Sequence, residues 1–332
     1  MANSYNDNGR RTFLRAAAAA PFILQKTQAW AAEYPTMPIK IVVPFSASSG
    51  ADLSMRRLTP ALSEIMGQPI IIDNKAGAGG IIGSEFAARA APDGYTLLAG
   101  TMSTHAINVG VYKKLPYDPI KSFVPITRTN AFPSVLVVPS SLKVSSMAEL
   151  LAFAKRANRP LSAATGGTGT TPHLAAEMLR MATKMDILSV PYKATGTYVP
   201  DVMAGTIDMT FANVPSVLGQ IKAGRLTALA VTSTTRSPLL PTVPTMIEAG
   251  LDGVTMSIWI ALFAPTGTPE AIVQKVSAAT RKALEMPAVR QGLVNDGSQV
   301  ETDPSSSAFA SFLGTEIPRW VGVTRAAGIV PE

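Results

Sequence analysis

The 332-residue chain has no cysteine and two histidines, His105 and His173. The first absence excludes thiolate nucleophiles, disulfide staples, cysteine-ligated zinc and iron–sulfur clusters, and two imidazoles are too few for a histidine-rich metal cage. No metal or other cofactor is expected. Charged residues make up 15% and aromatic residues 6% of the chain, and no run of five Lys or Arg occurs. Without a basic stripe interleaved with stacking rings, nucleic acid is excluded as a partner, despite a net charge of +7 and a pI near 9.6. Phosphate-loop and serine-hydrolase signatures, G-x-x-x-x-G-K-[ST] and G-x-S-x-G, are also missing. A dinucleotide fingerprint begun at Gly77 fails at Ile82, where its third glycine belongs.

What is present begins with an address. Residues 9–15 read GRRTFLR, followed by AAAAAPFIL (16–24), Lys26 and AWA (29–31). A charged start, a short apolar run and a small-x-small site describe an export signal over residues 1–31, cleaved near Ala31. Arg10-Arg11 before Phe13-Leu14 resembles a twin-arginine signal, whereas Gly9, where Ser or Thr is usual, leaves the general secretory route open. The run is too short to span a bilayer, and no later stretch of 18 apolar residues exists. No cysteine follows to carry a lipid anchor, so the expectation is a soluble periplasmic protein.

At 47% apolar, the chain can fill a sizeable core, in one large domain or two ordinary ones. From residue 39 onward, short β-branched runs alternate with helical stretches. IKIVVPF (39–45), PIIIDNK (69–75) and YTLLAGT (95–101) flank helices expected near 52–66 and 80–91. After a Pro-rich link at 115–126 come VLVVP (135–139), LSAAT (161–165), ILSVPY (187–192), IDMTFAN (207–213) and LTALAVTS (226–233), again separated by helices. This is an α/β pattern of mostly parallel sheets flanked by helices. The strand SIWIALFAP (257–265) precedes long helical stretches at 269–285 and 304–326, which must pack on an existing sheet. The economical chain leaves a first lobe near 134, builds a second over 135–255, and returns to complete the first, giving 32–134 plus 256–332 against 135–255. Two crossing strands make a hinge, and two hinged lobes make a cleft.

In open parallel sheets, ligands sit beyond the carboxyl ends of the strands, where helix N-termini offer unpaired N–H groups. Three loops have that position: SASSGAD (46–52), THAIN (104–108) and GGTGTT (166–171). In the first, Ser46, Ser48 and Ser49 add hydroxyls and Asp52 reads as the N-cap. In the third, Gly166, Gly167 and Gly169 let the backbone approach a ligand beside Thr168, Thr170 and Thr171. The plainer reading makes these loops turns and caps only. Ser48 or Ser49 with His105 or His173 would also suit a periplasmic serine hydrolase.

Several segments together resemble the Bug family of extracytoplasmic solute-binding proteins, the receptors of tripartite tricarboxylate transporters. They are VPFSASSGAD (43–52), NKAGAGGIIGSEFAARAAPDGYTLLAGT (74–101), KKLPYDPIKSF (113–123), GGTGTTPHLAAEML (166–179), VPYKATG (190–196), KAGRLTALAVTS (222–233), LPTVPTMIEAG (240–250) and SIWIALFAPTGTP (257–269). The resemblance implies two α/β lobes of periplasmic-binding-protein architecture closing on a small carboxylate without catalysis. It implies delivery to the membrane components of the transporter, and work as a monomer. Carried over residue by residue, it points to Phe45, Ser46, Ala47, Ser48, Ser49 and Asp52; to Gly79 and Gly80; to Thr101, Ser103 and His105; to Thr168, Gly169, Thr170 and Thr171; and to Ala194, Thr195 and Asn213. The chain departs from the family where Ala47-Ser48-Ser49 replaces Pro-Gly-Gly and where Ile81 follows Gly79-Gly80 in place of Asn. These changes border the expected carboxylate site. The implied ligand is a mono- or dicarboxylate, and Ala47, Ala78 and Ile81 extend the expectation to aromatic ones. A receptor of this kind could instead report to a membrane sensor.

Overall fold

The computed structural model describes residues 34–47, 49–192 and 197–331. The expected export signal and the site residues Ser48, Ala194 and Thr195 lie outside them.

Ten strands are found among the described residues: β1 (Ile39–Val43), β2 (Ile70–Asn74), β3 (Thr96–Thr101), β4 (Phe123–Pro139), β5 (Leu161–Thr165), β6 (Ile187–Pro191), β7 (Met209–Asn213), β8 (Leu226–Val231), β9 (Ser257–Pro265) and β10 (Gln299–Val300). They follow the order β2-β1-β3-β9-β4-β7-β5-β6, with β8 and β10 also paired to β4. The outer groups β2-β1-β3 and β7-β5-β6 are parallel. Every pairing made by β4 or β9 is antiparallel, so the sheet is mixed, with its parallel parts at the two flanks.

The expected link at 115–126 gives way at Phe123, because β4 runs for 17 residues and takes in Pro125 and Pro133. Proline removes a ladder donor, and the β4–β9 register shifts between Pro125 and Thr127 and again between Arg128 and Asn130. Alternation along β4 serves two cores. Val135 and Val137 pack with Tyr198, Val202 and Val217, while Leu136 and Val138 belong to the larger cluster containing Phe211 and Leu229. Burial on both faces explains why this segment reads as a continuous apolar run.

The first part of β4 pairs with β9 and the part from Ser134 onward pairs with β7 and β8. The chain therefore passes between the flanks along β4 and again on entering β9. Thr232, fully buried, ties the two passages together. Its N–H donates to the Ser134 carbonyl (2.9 Å), and its Oγ1 accepts from the Ser134 N–H (3.0 Å) and donates to the Met256 carbonyl (2.7 Å). The Met256 N–H returns to the Thr232 carbonyl (2.8 Å).

Helix Gly50–Met66 starts at Ser49, whose extended backbone (φ −66°, ψ 161°) and Oγ, accepting the Asp52 N–H at 3.3 Å, make it the N-cap. This corrects the reading of Asp52, which lies inside the first turn. There its buried carboxylate accepts from Arg56 Nε (2.9 Å) and Asn74 Nδ2 (3.0 Å) and favours the positive end of the helix. The expected helix at 80–91 is a tight turn, Ala78–Gly80, followed by helix Ile81–Ala88. A further helix, Pro287–Asn295, lies between the two long C-terminal helices.

The C-terminal helix Ser306–Ala326 buries Phe309, Leu313, Ile317, Trp320 and Thr324, one stripe at spacings of three and four. It presses on Gly110, where a Cβ would lie 2.1 Å from Thr324 Oγ1. Absence of a side chain at Gly110 thus lets the helix seat the segment 103–111 from below. The linker into the helix is pinned by Arg128 of β4. Its guanidinium lies 4.2 Å from the Phe312 ring centroid and contacts Glu301 (2.8 Å) and the buried Asp303 (3.0 Å), which also accepts the Arg128 N–H (2.9 Å).

Removing Asp303 leaves Arg128 with Glu301 as its remaining carboxylate partner and the Arg128 N–H without its acceptor. Asp303→Ala is expected to lower unfolding stability by about 2 kcal/mol. Glu248→Ala, which breaks the exposed pair with Arg236, should cost less than Asp303→Ala, because solvent screens that pair. Urea unfolding of the two variants checks the difference.

Candidate functional site

A cavity of about 440 Å³ opens at the carboxyl ends of β1, β3, β5 and β7. One wall comes from Phe45, Ser49, Gly50 and Ala51 after β1, Gly79 after β2, and Thr101, Ser103, Asn108, Val111 and Tyr112 at the end of β3 and beyond it. The facing wall comes from Gly166, Thr168, Gly169, Thr170, Thr171 and Pro172 after β5, Tyr198 after β6, and Phe211 and Asn213 of β7. Phe132 of β4 and Ile258 of β9 lie between them. None of these described lining residues carries a formal charge.

Polar capacity comes from helix ends and small side chains. Helix Gly50–Met66 opens into the cavity through Gly50 and Ala51, whose first-turn N–H groups lack intrahelical acceptors. Helix Thr171–Thr183 opens opposite it, with Thr170 as N-cap residue and Pro172 in the first turn. Asn213 begins a third helix, Val214–Lys222. Its carbonyl accepts the Ser216 hydroxyl (2.6 Å), and no capping bond occupies its side chain. Two opposed positive helix ends with hydroxyl and amide groups between them suit an anion.

The glycine-rich loop is held by its own bonds. Thr170 donates to the Gly167 carbonyl through N–H (3.2 Å) and Oγ1 (2.7 Å), and the Gly167 N–H points to Thr165 Oγ1 (3.4 Å). The Gly169 N–H donates to Nδ1 of His173 (3.1 Å). Gly169 has φ +74°, and a Cβ there would lie 2.6 Å from Cγ2 of Val111 on the opposite wall. The two walls therefore meet at Val111 and Gly169, with no room for a side chain on the loop.

Of the residues singled out in the sequence, Phe45, Ser49, Gly79, Thr101, Ser103, Thr168, Gly169, Thr170, Thr171 and Asn213 come together on this cavity. Ser46 and Ala47 are exposed and do not line it, and neither do the buried Gly80 and Asp52. His105 requires a correction. It is fully buried, its ring stacked on Phe263 at 3.8 Å and its Nδ1 paired with Thr104 Oγ1 at 2.9 Å. Stacking within the core removes it from any ligand and from service as a base for Ser49. Burial pushes its pKa down to about 3.

Phe132, Ile258, Tyr198 and Phe211 lie outside the residues singled out in the sequence; all four are almost fully buried, yet line the cavity. Asn108 and Val111 lie at or just beyond the recognised segment THAIN. Asn108 Nδ2 holds the Gly79 carbonyl at 3.1 Å.

Gly169→Ala is expected to loosen the meeting of the walls, read as greater radius of gyration in small-angle scattering and no gain in thermal stability. His105 yields a second expectation. Its folded-state pKa lies below the unfolded value of 6.5, so its contribution to stability is complete above about 6.5 and is lost as pH falls toward 3. His105→Phe should therefore lose less stability than wild type between pH 7 and pH 4.5 in urea titrations.

The chain matches the family described as tripartite tricarboxylate transporter family receptor over residues 54–329. BugT of Bordetella pertussis is 35% identical over 297 residues, which cover 89% of this chain and 90% of that one. A solved Rhodopseudomonas palustris protein with adipate is 33% identical with a TM-score of 0.80, over 90% of this chain and 100% of that one. MatC from the same organism, with bound malate, is 32% identical with a TM-score of 0.75, over 87% and 99%.

Proposed function

This chain belongs to the tripartite tricarboxylate transporter receptor family, the Bug solute-binding proteins, and from that premise we propose that it captures a small organic carboxylate in the periplasm. The bound molecule is handed unchanged to the membrane components of a tripartite transporter. The observation that carries this reading is the cavity walled by two opposed helix N-termini, at Gly50-Ala51 and Thr170-Thr171. Family kinship and the two carboxylate-bound relatives support it. The receptor works as a monomer of two lobes, 32–134 plus 256–332 and 135–255, after cleavage near Ala31.

Helix-end N–H groups, Ser103, Thr171 and Asn213 would receive the carboxylate, each charge-assisted bond contributing about 1.5–3 kcal/mol. Phe45, Phe132, Tyr112 and Ile258 offer apolar surface to the rest of the molecule. That division favours a carboxylate with an aliphatic or aromatic body over a compact inorganic anion. Micromolar affinity requires about −8 kcal/mol, within reach of a few such bonds and one buried apolar face. No catalysis is assigned: His105 is locked in the core and His173 is engaged with Gly169.

A thermal-shift panel of aliphatic and aromatic mono- and dicarboxylates, with mass spectrometry of each hit, tests the reading. A ligand at 100 times its Kd should add about 2.7 kcal/mol of stability and be recovered intact. No shift from any carboxylate, or conversion of the compound, overturns the proposal. Asn213→Ala and Ser103→Ala should each weaken binding about tenfold by calorimetry, the scale of one lost hydrogen bond, with the ligand-free melting temperature unchanged.

A further inference from the structure

The cavity loop Gly166–Thr170 is fastened to the helix behind it by one side chain. His173, in the first turn of helix Thr171–Thr183, accepts the Gly169 N–H at Nδ1 (3.1 Å). A neutral imidazole has one acceptor nitrogen, so this bond places the ring proton on Nε2. That nitrogen faces Glu177 Oε1 at 4.0 Å, and Glu177 is itself held by Arg180 Nε at 2.7 Å. The His173 side chain is 14% exposed, so water is a poor substitute for the bond. The residue it fastens is the one whose bare Cα receives Val111 from the opposite wall.

Building on the receptor reading, we propose that His173 is a positioning residue for ligand capture: its neutral imidazole holds Gly169 and Thr170 in place against the cavity, and protonation releases them. A protonated ring carries N–H at both nitrogens, so Nδ1–H would confront the Gly169 N–H, donor against donor. The bond is lost and the loop is freed to move away from Val111. Ligand affinity then falls in acid through the loop, without any contact between His173 and the ligand.

The charged surroundings of the ring set where this happens. On its own helix, Glu177 favours the protonated form, and its pairing with Arg180 weakens that effect. The neighbouring strands β5, β6 and β7 bring no titratable group. From the two other elements packed on this helix come Asp252 and, on helix Ser306–Ala326, Glu316, Arg319 and Arg325. Glu316 is taken by Arg319 and Trp320, and Arg319 also reaches the Thr255 carbonyl. Burial and the positive helix end disfavour the charged ring, and the His173 pKa lies below the ordinary imidazole value. Release therefore begins on the acid side of that value.

Comparison of wild type with His173→Asn and His173→Ala tests the assignment. Asparagine Oδ1 can occupy the place of Nδ1 and accept the same bond but does not titrate in this range; alanine supplies no acceptor. In ligand-free protein, amide exchange at Gly169 should be slow in wild type and H173N, and at least about tenfold faster in H173A. The Gly169 amide shift should titrate with the His173 ring in wild type and stay flat in H173N. With adipate, malate and benzoate as probes, H173A should lose about tenfold in affinity at pH 7.5, H173N should retain most of it, and only wild type should weaken further by pH 5 relative to H173N. A Gly169 amide indifferent to the ring, or an H173N as impaired as H173A, overturns the assignment. Failure of wild type to bind any of the probes counts against the receptor reading instead, and the exchange and shift measurements still decide the role of His173.

Discussion

Everything in this molecule hangs on the backbone ladder of β4. Its first part is bonded to β9 and its last part to β7 and β8, so a single strand belongs to both flanks of the sheet. From Val135 to Val138 its side chains alternate between two hydrophobic clusters, so that stretch leaves neither face to solvent. The parallel groups on either side bring their carboxyl ends, and the helix starts that follow them, toward one space. Without that shared strand, the helix ends at Gly50 and Thr171 would have no reason to oppose each other.

The elements easiest to read were those whose signal is local. The parallel strands appear in the sequence as apolar runs of five to seven residues, and the structure places them within one or two residues of those bounds. The Ser/Thr/Gly loops after β1 and β5 were legible because hydroxyl side chains and glycines gather where a chain leaves a strand, turns and caps a helix. The stretch 123–134 was hidden by Pro125 and Pro133, which argue locally against a strand. Pro125 sits at a register shift against β9 and Pro133 at the end of the β4–β9 ladder, and both settings depend on a strand more than 120 residues away.

The site shows the same division. Ten of the residues named from sequence share the cavity, because loop position after a strand predicts them. His105 was misjudged for a tertiary reason: the segment after β3 turns its imidazole inward onto Phe263, a residue of the distant β9. Phe132, Tyr198, Phe211 and Ile258 were invisible as site residues because a large apolar side chain looks the same whether it faces a core or a cavity. In the sequence, His173 stands only as a candidate base beside Ser48 or Ser49. Only the fold shows that the backbone it secures is the wall of the cavity.

The tie at Thr232 has a mechanical meaning. Two chain passages bonded to one buried threonine act as two closely spaced pins on a common pivot, not as independent tethers. Such a joint yields readily about the line through both pins and resists torsion and sliding in other directions. For flanks that move as the receptor reading proposes, this joint favours one direction of motion over the others, and it would return the walls meeting at Val111 and Gly169 to the same alignment.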